Sequence, residues 1–176
     1  MLVQPTAPWT APDPAQIIKL LEACSKRNRP LILLFLATGM RLSEVLGLRW
    51  DEVDLARGVI RLPGERTKNG CSRTVPLNEH ARKVLQDAAL KRLEKCPLVF
   101  HVHGRPIKSI RDGFDAACTR TGLKDFHVHD LRHCFASALA MCGVPLQAIG
   151  ELLGHKTMSM TQRYYAHLSP DMLKRP

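Results

Sequence analysis

Aromatic side chains are scarce in this chain of 176 residues, which has two tryptophans, two tyrosines and five phenylalanines. Yet both tyrosines, Tyr164 and Tyr165, stand side by side in LLGHKTMSMTQRYYAHL (152–168), nine and ten places after His155. Long apolar runs are missing as well. The longest, Leu31 to Ala37 within PLILLFLATGM, falls well short of the roughly 20 residues that cross a bilayer. It reads as a buried helix, and no membrane partner is expected. No charged start followed by an apolar stretch suggests export, so the expected compartment is the cytoplasm. The six cysteines (24, 71, 96, 118, 134, 142) include no CxxC pair. In a reducing compartment they read as small hydrophobes, Cys134 and Cys142 on a helix among them, rather than as disulfide partners.

Acidic residues are also few: 16 Asp and Glu face 26 Lys and Arg, giving a formal charge of +10. A surface this basic attracts a polyanion, because each cation placed on a phosphate releases condensed counterions. Nucleic acid is the first partner to consider, with a basic surface kept for solubility as the plain alternative. At this length one well-buried domain is expected rather than two.

MLVQPTAPWTAPDPAQ carries four prolines in its first fourteen residues and reads as a linker over 1–13. Asp13 and Pro14 then have the signature of a helix start, with Ile17, Leu20 and Leu21 at helical spacing. Further helices are expected over about 30–38, stopped by Gly39, and over about 43–48 with Ser43 as N-cap. The period then changes to that of strands. Val53-Asp54-Leu55, Val59 to Leu62 and Arg73-Thr74-Val75 make a meander of three antiparallel strands. From Arg57 to Arg73 there are five basic residues and one acid, Glu65, which implies a basic hairpin tip suited to a groove or a phosphate. Helices follow over about 78–95, with Asp87 and Lys91 paired on its solvated face, and over about 106–121, 129–142 and 145–153. VFHVHGRP is a short strand or turn. The fold class is mainly α with a small three-stranded antiparallel sheet.

Several residues carry anion chemistry. On a helix over 129–142, Leu131, Phe135, Ala138 and Cys142 form one stripe, the expected core face, and His129, Arg132, His133 and Ala136 lie opposite. That opposite side is either an anion-holding face or an ordinary solvated one. Arg41 follows a helix-stopping glycine near a helix start, where backbone N–H groups favour an anion, and Glu44 either orients it or complements the dipole. A tyrosine is a poor nucleophile near neutrality because its phenol titrates near 10. With a base beside it and guanidinium groups gripping the electrophile, it becomes suited to a phosphodiester. Exchanging one phosphate ester for another conserves bond energy, which suits strand breakage followed by rejoining without ATP or metal. A zinc site drawn from His101, His103, His127, His129, His133 and His155 with Cys134 lacks a tidy fourth ligand. A DNA-binding module without catalysis also accounts for the charge.

TGMRLSEVLGLRW, RTKNGCSRTVPL, HDLRH and LLGHKTMSMTQRYYAHLSP, in this order, resemble the catalytic domain of the tyrosine site-specific recombinases, above all the phage and prophage integrases. The likeness covers about residues 14 to 170, and it implies a catalytic domain over 14–176, the integrase catalytic-domain fold, and no cofactor or metal. By motif it assigns Arg41, Lys68, His129, Arg132, His155 and Tyr164 as catalytic, with Glu44 supporting. Lys68, chosen over Arg66 and Arg73 because the TKN string matches, would be the general acid, His129 would help take the tyrosine proton and His155 would hydrogen-bond the phosphate. Counting nine residues from the histidine of LGH gives Tyr164, whereas counting back from the family's Tyr-Ala-His gives Tyr165, the alternative nucleophile. Tyr164 is preferred because it must share one phosphate with His155. The implied partners are double-stranded DNA, other recombinase protomers that form a tetramer on DNA, and accessory DNA-bending proteins. The implied setting is a bacterial or phage-infected cell. The family's N-terminal core-binding and arm-binding domains have no counterpart in residues 1–176. A type IB topoisomerase uses the same chemistry, and the LGH string favours recombination over relaxation.

Overall fold

Why the chain brings these distant segments together is set by one central helix. In the computed structural model, which describes residues 11–68, 70–155 and 161, helix α2 (Asn28–Thr38) buries Leu31, Ile32, Leu34 and Phe35, so it is apolar nearly all round. A helix of that kind must be covered on several sides. Helix α1 (Pro14–Ala23), helix α4 (Glu79–Ala89) and helix α6 (Asp130–Met141) all pack against it. Each buried Leu, Ile or Phe contributes about 1.5–3 kcal/mol.

The N-terminal signal reads as expected. Asp13 accepts from the Gln16 amide and Gln16 returns a side-chain oxygen to the Asp13 amide, a reciprocal cap with Pro14 as the first helical residue. Helix α2 stops at Gly39, whose φ of +60° suits glycine. A Cβ there would also collide with the Phe135 ring of α6. Helix α3 is short (Leu42–Leu46), and the expected Ser43 cap is not used. Its cap position is Arg41, because the buried Glu44 reaches back to the Arg41 amide.

The meander is present as β1 (Val53–Asp54), β2 (Val59–Leu62) and β3 (Arg73–Pro76), antiparallel in the order β1-β2-β3, with Ile60 opposite Val75. Helix α4 ends at Ala89, short of the expected 95, so Asp87 and Lys91 do not share a helix. Beyond it Leu90 is 86% exposed. The chain is then drawn away by backbone bonds from Trp50 to Pro97 and from Val99 to Leu48. A second hairpin, β4 (His101–Val102) with β5 (Arg105–Pro106), occupies the start of the next expected helix, so α5 spans only Arg111–Thr121. Among the described residues no helix is long and apolar enough to cross a membrane.

One expectation is overturned at α6. Ala138 and Cys142 are exposed, whereas Leu131, Arg132, Ala136, Ser137 and Ala140 are buried. The side read as polar turns inward because its alanines let α6 lie close to α2 and to helix α7 (Leu146–Leu153), where Ala136, Ala140, Ile149 and Leu153 form a small second core. Arg132 goes in with them.

Candidate active site

Two helix ends meet where the arginines lie. The last carbonyls of a helix have no partner within it and carry the negative end of its dipole. Arg132, 4% exposed, donates through Nη1 to the Gly39 carbonyl at the end of α2 (2.7 Å) and through Nη2 to the Leu153 carbonyl at the end of α7. Arg41 donates from Nη2 to the next carbonyl, that of Gly154 (3.1 Å). The two guanidinium groups therefore converge on one spot rather than facing separate surfaces.

Glu44 is the carboxylate of this cluster. It is 1% exposed and accepts from the Arg41 amide (2.7 Å), from Arg41 Nη1 (3.2 Å), and from Arg73 Nη1 and Nη2 (2.9 and 2.6 Å). Burial alone would raise its carboxyl. The Arg73 hydrogen bonds, the Arg41 amide and the charges of both arginines outweigh burial and hold it below the ordinary value. Glu44 is thus ionised and orients Arg41.

His155 occupies the turn after α7. Gly154, at φ +67°, bonds back to the Glu151 carbonyl and His155 to that of Gly150, the paired bonds of a Schellman stop. His155 Nδ1 lies 2.8 Å from Oγ1 of Thr161, which is fully buried. Burial first, then the charges of Arg132 and Arg41, push its imidazole down to about 4, so it is neutral near pH 7. His129 flanks the start of α6, with its ring edge-on to His133 at 5.4 Å. Its imidazole is also lowered, by desolvation on its protein side and then by Arg132, with Arg41 and Lys68 adding and Asp130 opposing.

The β2–β3 hairpin supplies the remaining cations. Thr67 Oγ1 lies 2.9 and 2.8 Å from the carbonyls of Gly64 and Cys71, which closes the tip. Of the three basic side chains near it, Arg66 pairs with Glu52 (3.2 Å) and Arg73 with Glu44, while Lys68 is exposed. Arg41 and Glu44 are thus directly bonded, Arg132 and Arg41 bond successive carbonyls leading into the turn that carries His155, and the charges of Arg41, Arg132 and Lys68 bear on His129. Tyr164 and Tyr165 lie outside the described residues.

The roles of two residues, the hold of Arg73 on Glu44 and of Thr161 on His155, went unread in the sequence. Arg73 had a usable signal, since it shares strand parity with the buried Val75 and so points inward. Thr161 had none. Among the described residues no three His, Cys, Asp or Glu side chains form a metal site. Cys134, a member of the alternative zinc set, has its thiol pushed up to about 12 by burial and then by Asp130.

The arrangement is a set of converging guanidinium groups in a fold of mainly α architecture. The family model described as the phage integrase family matches residues 12–171, and the chain belongs to that family. It is 30% identical to the integrase of Salmonella phage P22 over 177 aligned residues, covering 94% of this chain and 45% of that one. It is 36% identical to the tyrosine recombinase XerC of Lactobacillus leichmannii, covering 88% and 56%. The solved catalytic domain of bacteriophage HP1 integrase superposes with a TM-score of 0.71 at 29% identity, covering 92% of this chain and 89% of that one. The chain spans about half the length of the curated relatives it matches.

Proposed function

We propose that this chain cuts and rejoins double-stranded DNA one strand at a time through a 3′-phosphotyrosyl intermediate, as the catalytic part of a site-specific recombinase that integrates or excises DNA. The observation that carries this reading is the convergence of Arg41 and Arg132 beside a neutral His155. The charge of +10 suits a DNA partner. Residues 14–176 form the catalytic unit and 1–13 a linker, and the reaction runs in the cytoplasm without metal, cofactor or ATP. A tetramer on two duplexes and accessory DNA-bending proteins belong to the same reading.

In the forward step the Tyr164 oxygen attacks phosphorus, the bond to the 5′-oxygen breaks, and the strand's 3′-phosphate is left on the enzyme. His129, uncharged because its imidazole is lowered, helps take the phenol proton. Lys68, the hairpin cation with no carboxylate partner among the described residues, gives a proton to the leaving oxygen. Arg41 and Arg132 offset the charge that develops on the phosphate oxygens, and His155 donates from Nε2 when Thr161 satisfies Nδ1. Tyr164 follows Thr161 by three residues, a covalent reach of at most about 11 Å. Rejoining reverses each transfer.

A nicked suicide duplex tests this. Incubation with the chain in EDTA is expected to give a denaturant-stable protein–DNA adduct that Tyr164→Phe abolishes. An adduct that survives Tyr164→Phe and disappears in Tyr165→Phe moves the nucleophile by one residue. Binding without any adduct replaces the enzyme by a DNA-binding module.

A further inference from the structure

Arg73 touches three parts of the cluster at once. It leaves β3, the strand that closes the Lys68 hairpin, with a side chain only 9% exposed. Its two terminal nitrogens fork onto both oxygens of Glu44. Its shaft packs on the Gly154 turn so closely that a Cβ on Gly154 would sit 3.1 Å from its Cδ and 3.3 Å from its Nε. Gly154 is thereby held between two arginines, with Arg73 against its Cα and Arg41 on its carbonyl. Among the described residues Arg73 Nε is buried without a hydrogen-bond partner. Leaving a charged donor unsatisfied costs stability, and that cost is tolerated only because the fork onto Glu44 and the packing on the turn dictate where the guanidinium sits.

We propose that Arg73 is a positioning residue for strand cleavage: it locks Glu44, and through Glu44 and the Gly154 turn it sets the orientation of Arg41 and His155 relative to the hairpin that carries Lys68. It does not touch the phosphate. A lysine keeps the charge but cannot make the two-pronged bond to Glu44. The inference rests on the recombinase reading above, and the wild-type adduct separates the two. If the wild-type chain forms no adduct on the suicide duplex, the functional reading fails; the role of Arg73 is judged only on a wild-type chain that does.

The experiment measures single-turnover adduct formation at saturating DNA for wild type, Arg73→Lys, Arg73→Gln, Glu44→Gln and the Arg73→Gln/Glu44→Gln pair, with DNA affinity and thermal unfolding alongside. Arg73→Gln is expected to slow cleavage by about 100-fold, the order that follows when a reacting group is misplaced by about an ångström, with DNA affinity unchanged. Arg73→Lys is expected to recover only part of the rate. The double variant should be no slower than the slower single one, because both act through one carboxylate. Loss of the Arg73 fork should also move the acid limb of the rate profile to higher pH as Glu44 becomes easier to protonate. If Arg73→Gln does not fold, Arg73→Lys alone decides. Cleavage at the wild-type rate in a folded variant, or fully multiplicative losses in the pair, overturns the proposal.

Discussion

The same local device occurs twice, eight residues apart, with opposite outcomes. In Arg41–Glu44 and in Arg49–Glu52 a buried glutamate reaches back three residues to an arginine amide, at 2.7 and 2.9 Å. Each glutamate also meets an arginine from the β2–β3 hairpin, Arg73 or Arg66. Arg73 covers both oxygens of Glu44, whereas Glu52 Oε1 has Arg66 Nη1 nearby at 3.2 Å but no hydrogen bond among the described residues. Glu44 is consequently held below the ordinary carboxylate value. For Glu52 burial prevails over the Arg49 amide and the Arg66 charge, and its carboxyl is raised. Burial raises both acids; the number and geometry of the donors decide the sign.

The largest effect should separate the two by stability. Glu44→Gln removes the carboxylate that, among the described residues, alone pairs with Arg41 and Arg73, and is expected to cost about 3 kcal/mol at pH 7. Glu52→Gln is expected to change stability by less than about 1 kcal/mol, and in the stabilising direction. Urea unfolding of both variants checks this, and equal losses would break the comparison.

A pH series sharpens it. The Glu44 contribution is present above the carboxyl's unfolded value and is lost as pH falls through its lower folded value, so the deficit of Glu44→Gln should shrink in acid. Glu52 behaves oppositely: stability falls as pH rises from its unfolded value through the raised folded one. The advantage of Glu52→Gln should therefore be absent below the unfolded value and complete above the folded one. Melting temperatures across that range should show the two differences running in opposite senses.

A third test concerns the histidine turn. An NMR titration should find His155 uncharged through pH 6 with a midpoint near 4. Between about 6.5 and that midpoint the unfolded chain binds the extra proton, so this histidine makes the fold more stable as pH rises. Thr161→Val should change the Nδ1 and Nε2 nitrogen shifts of His155 while leaving the Glu44 and Glu52 contrast untouched.

Much of the architecture was legible in the residues. Asp13-Pro14, Gly39 and Gly154 mark helix ends with short-range chemistry, and the alternation over 53–75 marks the meander. What misled was the inner face of α6. Arg132 counts as polar in any periodicity, and nothing local reveals that the carbonyl ends of α2 and α7, 93 and 21 residues away, will satisfy it in the interior. The ends of α4 and α5 were misjudged for a similar reason, since the pull of Pro97 toward Trp50 and the pairing of β4 with β5 are not helix-propensity effects. At the site, Arg41, Glu44 and Arg132 were named from motif and charge. The grip of Arg73 on Glu44 needed only the strand parity that made Val75 a core residue.

The uneven charge at the junction of α2, α3 and α7 has a further consequence. Among the described residues three guanidinium groups stand against one carboxylate, and backbone carbonyls accept from Arg132 and Arg41. A resting diester brings one negative charge, whereas the five-coordinate species formed on attack brings two. In the reaction proposed above, a surplus of two positive charges matches the latter, which would favour the fleeting species over the bound diester.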